Sequence, residues 1–263
     1  MVTEGEDSSL TLKIEKPRQN GQVWGAWPTI GLGTAVFFAS SLVQVAVAVV
    51  FAVIKIVSNP DLSPSQLAKD LSTNGLLIAV ALIASSIVGL ALIAVFVKMR
   101  RGFSISEYLG LRRITRKTFF ILLAIIVGMV ALSEGLSLLP GGSDNSAFAI
   151  DTYRTSVWPA LLWVSFIIVA PAFEEAFFRG FLFVGFRQSR LGAVGAIGLT
   201  ALFWASLHIQ YDVYGMATIF VMGIVLGIVR LKTGSLWSPL LMHSVWNLVG
   251  MVETALYVSG AMS

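Results

Sequence analysis

Glu174 and Glu175 stand side by side in an apolar stretch, and Arg179 follows one helical turn later. The chain has two histidines, His208 and His243, both in apolar stretches further on, and Asn247 lies one turn beyond His243. Ionisable groups are costly in hydrocarbon, so in a membrane-spanning bundle they face the interior and usually serve a function. Hydrolysis of a peptide bond there needs a base to deprotonate water, and a carboxylate held away from bulk water suits that task. It also needs donors aimed at the tetrahedral oxyanion, which imidazole and amide groups supply. This reading assigns Glu174 and His208 to water activation and His243 and Asn247 to the oxyanion. Glutamate plus two histidines is also a catalytic zinc set. The absence of H-E-x-x-H and the separation of the histidines favour a site without metal, and zinc stays as the alternative.

The elements that must carry these residues are membrane spans. The chain is 56% hydrophobic and only 12% charged, against about 25% charged in a soluble domain. An all-α, polytopic transmembrane bundle follows, formed as one unit. The net charge of +4 needs no nucleic-acid partner, because the basic residues cluster in short loops; the partners expected are the lipid bilayer and a membrane-anchored protein or peptide substrate. There are no cysteines, which excludes disulfides, thiolate catalysis and cysteine metal sites. Residues 1–27 are polar and open with Glu4, Glu6 and Asp7, so they read as a cytosolic tail before an uncleaved span.

A span needs about 20 mostly apolar residues. On that criterion the spans are Pro28 to Ile54, Asp70 to Lys98, Thr118 to Leu139, a fourth from Val157 carrying the glutamates, Gly192 to Ile209, Val213 to Val229, and Leu236 to Val258. That is about seven, within a range of six to eight set by the short fifth and sixth. Three spans thus occupy residues 28–140, where Pro140-Gly141-Gly142 breaks the chain, and the site-bearing core occupies 155–258. The loop 98–117 holds Lys98, Arg100, Arg101, Arg112, Arg113, Arg116 and Lys117. The positive-inside rule puts it in the cytosol, and Arg187, Arg190, Arg230 and Lys232 follow it there. The amino terminus is then inside and the carboxyl terminus outside.

Glu175 precedes Arg179 in the favourable i,i+4 order for a helical ion pair. Glu174 points about 100° away and is free to face a cavity. Glu174 and His208 are equidistant in sequence from Leu191, at the turn between spans four and five. If both arms are helical, both side chains lie about 25 Å from that turn. Trp204, one turn before His208, can pack on its ring. Gly223 and Gly227 form a small-xxx-small pair that admits a neighbouring helix.

The blander readings are a structural ion pair for Glu175 and Arg179, and interhelical hydrogen bonds for His243 and Asn247. Glu134 and Glu253 sit near span ends, where they reach water, and receive no role. Tyr211-Asp212 resembles the first motif of aspartyl intramembrane proteases, but no G-x-G-D follows. The rhomboid G-x-S-G is also absent. The run Phe173, Phe177, Phe178, Phe181, Phe183 and Phe186 reads as lipid-facing or packing surface, with part of it available to line a substrate groove.

Three segments carry a family resemblance: Glu174-Glu175-Ala176-Phe177-Phe178-Arg179, Trp204-Ala205-Ser206-Leu207-His208 and His243-Ser244-Val245-Trp246-Asn247. They resemble E-E-x-x-x-R, F-x-x-x-H and H-x-x-x-N/D, the three ordered motifs of the CPBP family. That family includes CAAX prenyl protease 2, bacteriocin-processing enzymes and lysostaphin-resistance-A-like proteins. Glu107-Tyr108-Leu109-Gly110-Leu111-Arg112-Arg113 looks like the segment that bacterial members carry upstream. Trp204 departs from the usual phenylalanine but keeps an aromatic ring. The resemblance implies a glutamate-dependent intramembrane endopeptidase, with Glu174 as base and Glu175 held by Arg179. The short loops look bacterial, so a bacterial inner membrane is the expected setting, and no cofactor is expected. The alternative is a scaffold or immunity-type protein that binds without cleaving, or a small transporter that uses the buried charges as a pathway.

Overall fold

The computed structural model describes residues 22–137 and 146–261. The acidic residues Glu4, Glu6 and Asp7 and the Pro140-Gly141-Gly142 break lie outside them. Among the described residues all regular structure is helical. The helices are α1 (Ala26–Ser58), α2 (Pro64–Thr73), α3 (Gly75–Met99), α4 (Ile105–Leu109), α5 (Arg116–Ser137) and α6 (Ser146–Arg154). After them come α7 (Pro159–Arg187), α8 (Gly192–Ser206), α9 (Val213–Thr233) and α10 (Trp237–Val258).

Five of these, α1, α3, α5, α7 and α9, are long and apolar enough to cross a membrane. The chain is a multi-pass membrane protein of all-α architecture. Helix α8 is apolar but shorter, and α10 dilutes its apolar run with Ser238, His243, Ser244, Asn247 and Glu253. The expected second span divides in two. Asn74 accepts a hydrogen bond from the Leu77 backbone N–H and so starts α3 afresh. The residues before it form the separate helix α2, opened by a Ser63–Gln66 capping box and tied to α1 by a Lys55–Asp70 ion pair of 2.8 Å.

Helix α7 runs through the middle of the bundle and contains two π-helical segments, Ser165–Val169 and Ala176–Leu182. Each widens the turn and shifts backbone hydrogen bonds to i→i+5. Ala170 N–H reaches Ser165 O, and Phe183 N–H reaches Phe178 O. Residues 175–183 are all buried. Phe177, Phe178, Phe181 and Phe183 are therefore core packing rather than lipid-facing surface, and only Phe173 and Phe186 of that run are half-buried. Around them gather Trp204, Met222, Leu226 and Met242.

Helices α8 and α9 pack closely because Gly223 lacks a side chain. A Cβ there would lie 2.9 Å from the Ala201 Cβ, too close for two carbon atoms. Helix α4 ends at Gly110, which adopts φ 71°, a conformation that glycine alone adopts readily. The turn lets Gly110 O accept from Leu236 N–H at 2.8 Å, so the start of α10 is fastened to the loop from α4.

Candidate active site

The glutamate doublet lies where α7 passes into its second π segment. Glu175 and Arg179 are both fully buried, and Arg179 Nη1 donates to Glu175 Oε1 at 2.8 Å. Arg179 Nη2 donates to Gly223 O on α9 at 3.2 Å, and the guanidinium lies 4.6 Å from the Trp204 ring centroid. In a low-dielectric interior such a charge persists because a carboxylate, a carbonyl and an aromatic face all meet it.

Glu175 Oε1 also meets His243 Nδ1 at 3.0 Å. A carboxylate accepts, so Nδ1 carries the proton. The other ring nitrogen, Nε2, then points to Glu174 Oε2, 4.0 Å away, beyond hydrogen-bond range. Glu174 Oε2 accepts from Trp204 Nε1–H at 2.5 Å. The Glu174 side chain is 23% exposed whereas that of Glu175 is fully buried. The doublet divides its work as its angular separation predicts: Glu175 is locked between Arg179 and His243, and Glu174 stands at the edge of the polar cluster.

His208 lies just past the end of α8, half-buried. Its Nδ1 is 2.8 Å from Trp204 O. A carbonyl can only accept, so Nδ1 is protonated, and in the neutral ring it is Nε2 that carries the lone pair. Trp204 stands edge-on between the two histidines, 5.2 Å from His208 and 5.1 Å from His243. Trp204, one turn before His208, touches both sides of the site: its Nε1–H donates to Glu174 and its ring meets His208 edge-on.

Asn247 Nδ2 donates to Phe166 O at 2.8 Å. That carbonyl belongs to the first π segment. In an i→i+5 pattern its partner would be residue 171, and Pro171 has no N–H. Asn247 fills the gap, and one amide N–H and its carbonyl oxygen remain.

Two residues of this region carry no sequence signature. Arg230 is 6% exposed, and it donates through Nε to Arg179 O at 3.1 Å and through Nη2 to Leu109 O at 3.0 Å. It thereby joins the second π segment to α4, whereas the charge pattern alone marks it as a loop cation. Tyr211 stacks on His208 at 6.3 Å and 13°. Among the described residues no three His, Cys, Asp or Glu side chains are disposed to hold a metal ion.

Residues 156–249 match the family model for type II CAAX prenyl endopeptidases of the Rce1-like kind. This segment is similar to that family. It contains all three motifs, and the match supports the CPBP, or CAAX prenyl protease 2, family. A protein of Escherichia coli described as an uncharacterized 24.3 kDa protein is 27% identical over 131 residues, which is 49% of this chain and 58% of that protein. The chain thus matches a little over half the length of this relative. No solved structure matches it.

Proposed function

We propose that the chain is an intramembrane endopeptidase that hydrolyses a membrane-anchored or lipidated protein or peptide near the cytosolic face. The observation that carries the reading is the setting of Glu174 Oε2, bonded to Trp204 Nε1, 4.0 Å from His243 Nε2, and still partly exposed. A base needs access to water and a fixed orientation, and Glu174 has both. His208 supports it with an Nε2 lone pair left free by the bond to Trp204 O.

In this mechanism Glu174, assisted by His208, takes a proton from water, which attacks the scissile carbonyl; as the tetrahedral intermediate collapses and the C–N bond breaks, Glu174 passes that proton to the leaving amine. The oxyanion receives hydrogen bonds from the remaining Asn247 N–H and from His243 Nε2. His243 donates from Nε2 only as imidazolium, because Nδ1–H is already given to Glu175. Glu175, Arg179 and Trp204 hold the reacting groups. The water is activated without metal, and the bacterial inner membrane is the proposed setting. The Rce1-like match supports a protease of the CAAX type.

A non-catalytic scaffold is the competing reading. One observation favours it: His243 and Asn247 both make interhelical hydrogen bonds. Purified protein in liposomes, offered membrane-anchored peptides and followed by mass spectrometry, separates the two. The protease reading expects defined cleavage products that persist after exhaustive chelation, with no stoichiometric metal by elemental analysis. Binding without products at any peptide would support the scaffold, and chelator-sensitive cleavage with bound zinc would support the zinc variant.

A further inference from the structure

His208 is not held by a helix. Helix α8 ends at Ser206, and the backbone closes into short turns, with His208 N–H on Ala205 O at 3.0 Å and Tyr211 N–H on His208 O at 3.1 Å. The ring therefore takes its orientation from its neighbours. Trp204 meets it edge-on, and Tyr211 lies nearly parallel to it, with 13° between the ring planes. Tyr211 is itself fixed. Phe148 of α6 meets its ring edge-on at 6.2 Å, and the next residue, Asp212, caps α9 by accepting from Gly215 N–H at 2.9 Å.

We infer that Tyr211 is a positioning residue for His208. Its ring holds the imidazole in the plane that keeps Nδ1–H on the Trp204 carbonyl and leaves Nε2 as the free base. The inference rests on the protease reading for its catalytic consequence but not for its structural content. Two stacked planar rings resist rotation of either one, and a tautomer fixed by a hydrogen bond survives only while the ring stays in that plane. Burial raises the Tyr211 phenol above its ordinary range; a hydrogen bond with Gln210 opposes this, and the nearby Glu174 carboxylate adds to it. The side chain is thus a neutral aromatic face at physiological pH, as the stacking role requires.

The chain's two histidines make the test direct. In protein labelled with nitrogen-15 at histidine, with His243→Gln used for assignment, wild type should show His208 as one tautomer, protonated at Nδ1. Tyr211→Phe keeps the ring and should preserve that pattern, whereas Tyr211→Ala and Tyr211→Leu should show a mixture of tautomers. In the turnover assay, Tyr211→Ala and Tyr211→Leu should lower kcat by about a hundredfold with KM little changed, the cost typical of a small misplacement, and Tyr211→Phe should restore kcat to near wild type. An unchanged tautomer in folded Tyr211→Leu overturns the inference, as does Tyr211→Phe behaving like Tyr211→Ala. The spectra need no turnover, so a chain that cleaves nothing would defeat the protease reading and leave the question of Tyr211 to be decided by the tautomer.

Discussion

Asn247 donates at 2.8 Å to Phe166 O, the carbonyl that an i→i+5 ladder would set opposite Pro171, which has no N–H to give. The bond makes Asn247 a structural pin between α10 and α7 as well as a candidate oxyanion donor, and the two roles separate experimentally. Asn247→Ala should leave Phe166 O unsatisfied and cost about 1 to 3 kcal/mol of stability, together with about a hundredfold to a thousandfold of turnover. Pro171→Ala restores an N–H. In the double variant, melting in detergent should recover part of the loss while turnover stays low. Additive destabilisation would show that Pro171 and Asn247 do not share an acceptor.

The buried pair gives a second prediction. Arg179→Ala strips Glu175 of its ion pair and Gly223 O of its donor. Breaking a buried pair costs about 3 to 5 kcal/mol, so expression or melting temperature should fall along with turnover. Arg179→Ala protein melting like wild type would mean that the pair contributes nothing to the fold.

Arg230 supplies a third. Replacing it with methionine keeps much of the volume but leaves Arg179 O and Leu109 O without this donor. Destabilisation of about 1 to 3 kcal/mol is expected, and α4 should become more open to protease. Hydrogen exchange at Tyr108 and Leu109 that stays as slow as in wild type would refute the link between α4 and the second π segment.

Much of this was legible in the sequence, for identifiable reasons. Helices follow from long uncharged runs because hydrocarbon tolerates little else. The Glu175–Arg179 pair follows from i,i+4 spacing, and the close approach at Gly223 from a missing side chain. What the sequence concealed is what depends on partners far along the chain. Pro171 inside an apolar run signals a displaced backbone bond, but nothing local tells that Asn247 will meet the exposed carbonyl. Arg230 has the composition of a positive-inside marker, and its two carbonyl acceptors appear only when α4 and α7 are packed. Tyr211 drew notice for the wrong motif, since its stacking on His208 arises from a turn without regular periodicity.

Topology is the fourth prediction, resting on the basic loops. The chain lacks cysteine, so single thiols can be introduced cleanly. Ser104 caps α4, so the exposed Arg101 is the choice for the side expected inside, and the exposed Asp61 for the side expected outside. In intact cells Arg101→Cys should be protected from an impermeant maleimide and Asp61→Cys labelled. The reverse pattern would put the site on the outer side of the membrane.

The central claim is that Glu174 is the base. Glu174→Gln keeps the shape of the side chain and an oxygen for Trp204 Nε1, but cannot take a proton from water. The most direct measurement is the single-turnover cleavage rate of one membrane-anchored peptide by wild type and by Glu174→Gln of equal melting temperature. The account predicts that the variant binds the peptide and cleaves almost none of it. Cleavage at the wild-type rate by folded Glu174→Gln would contradict the account.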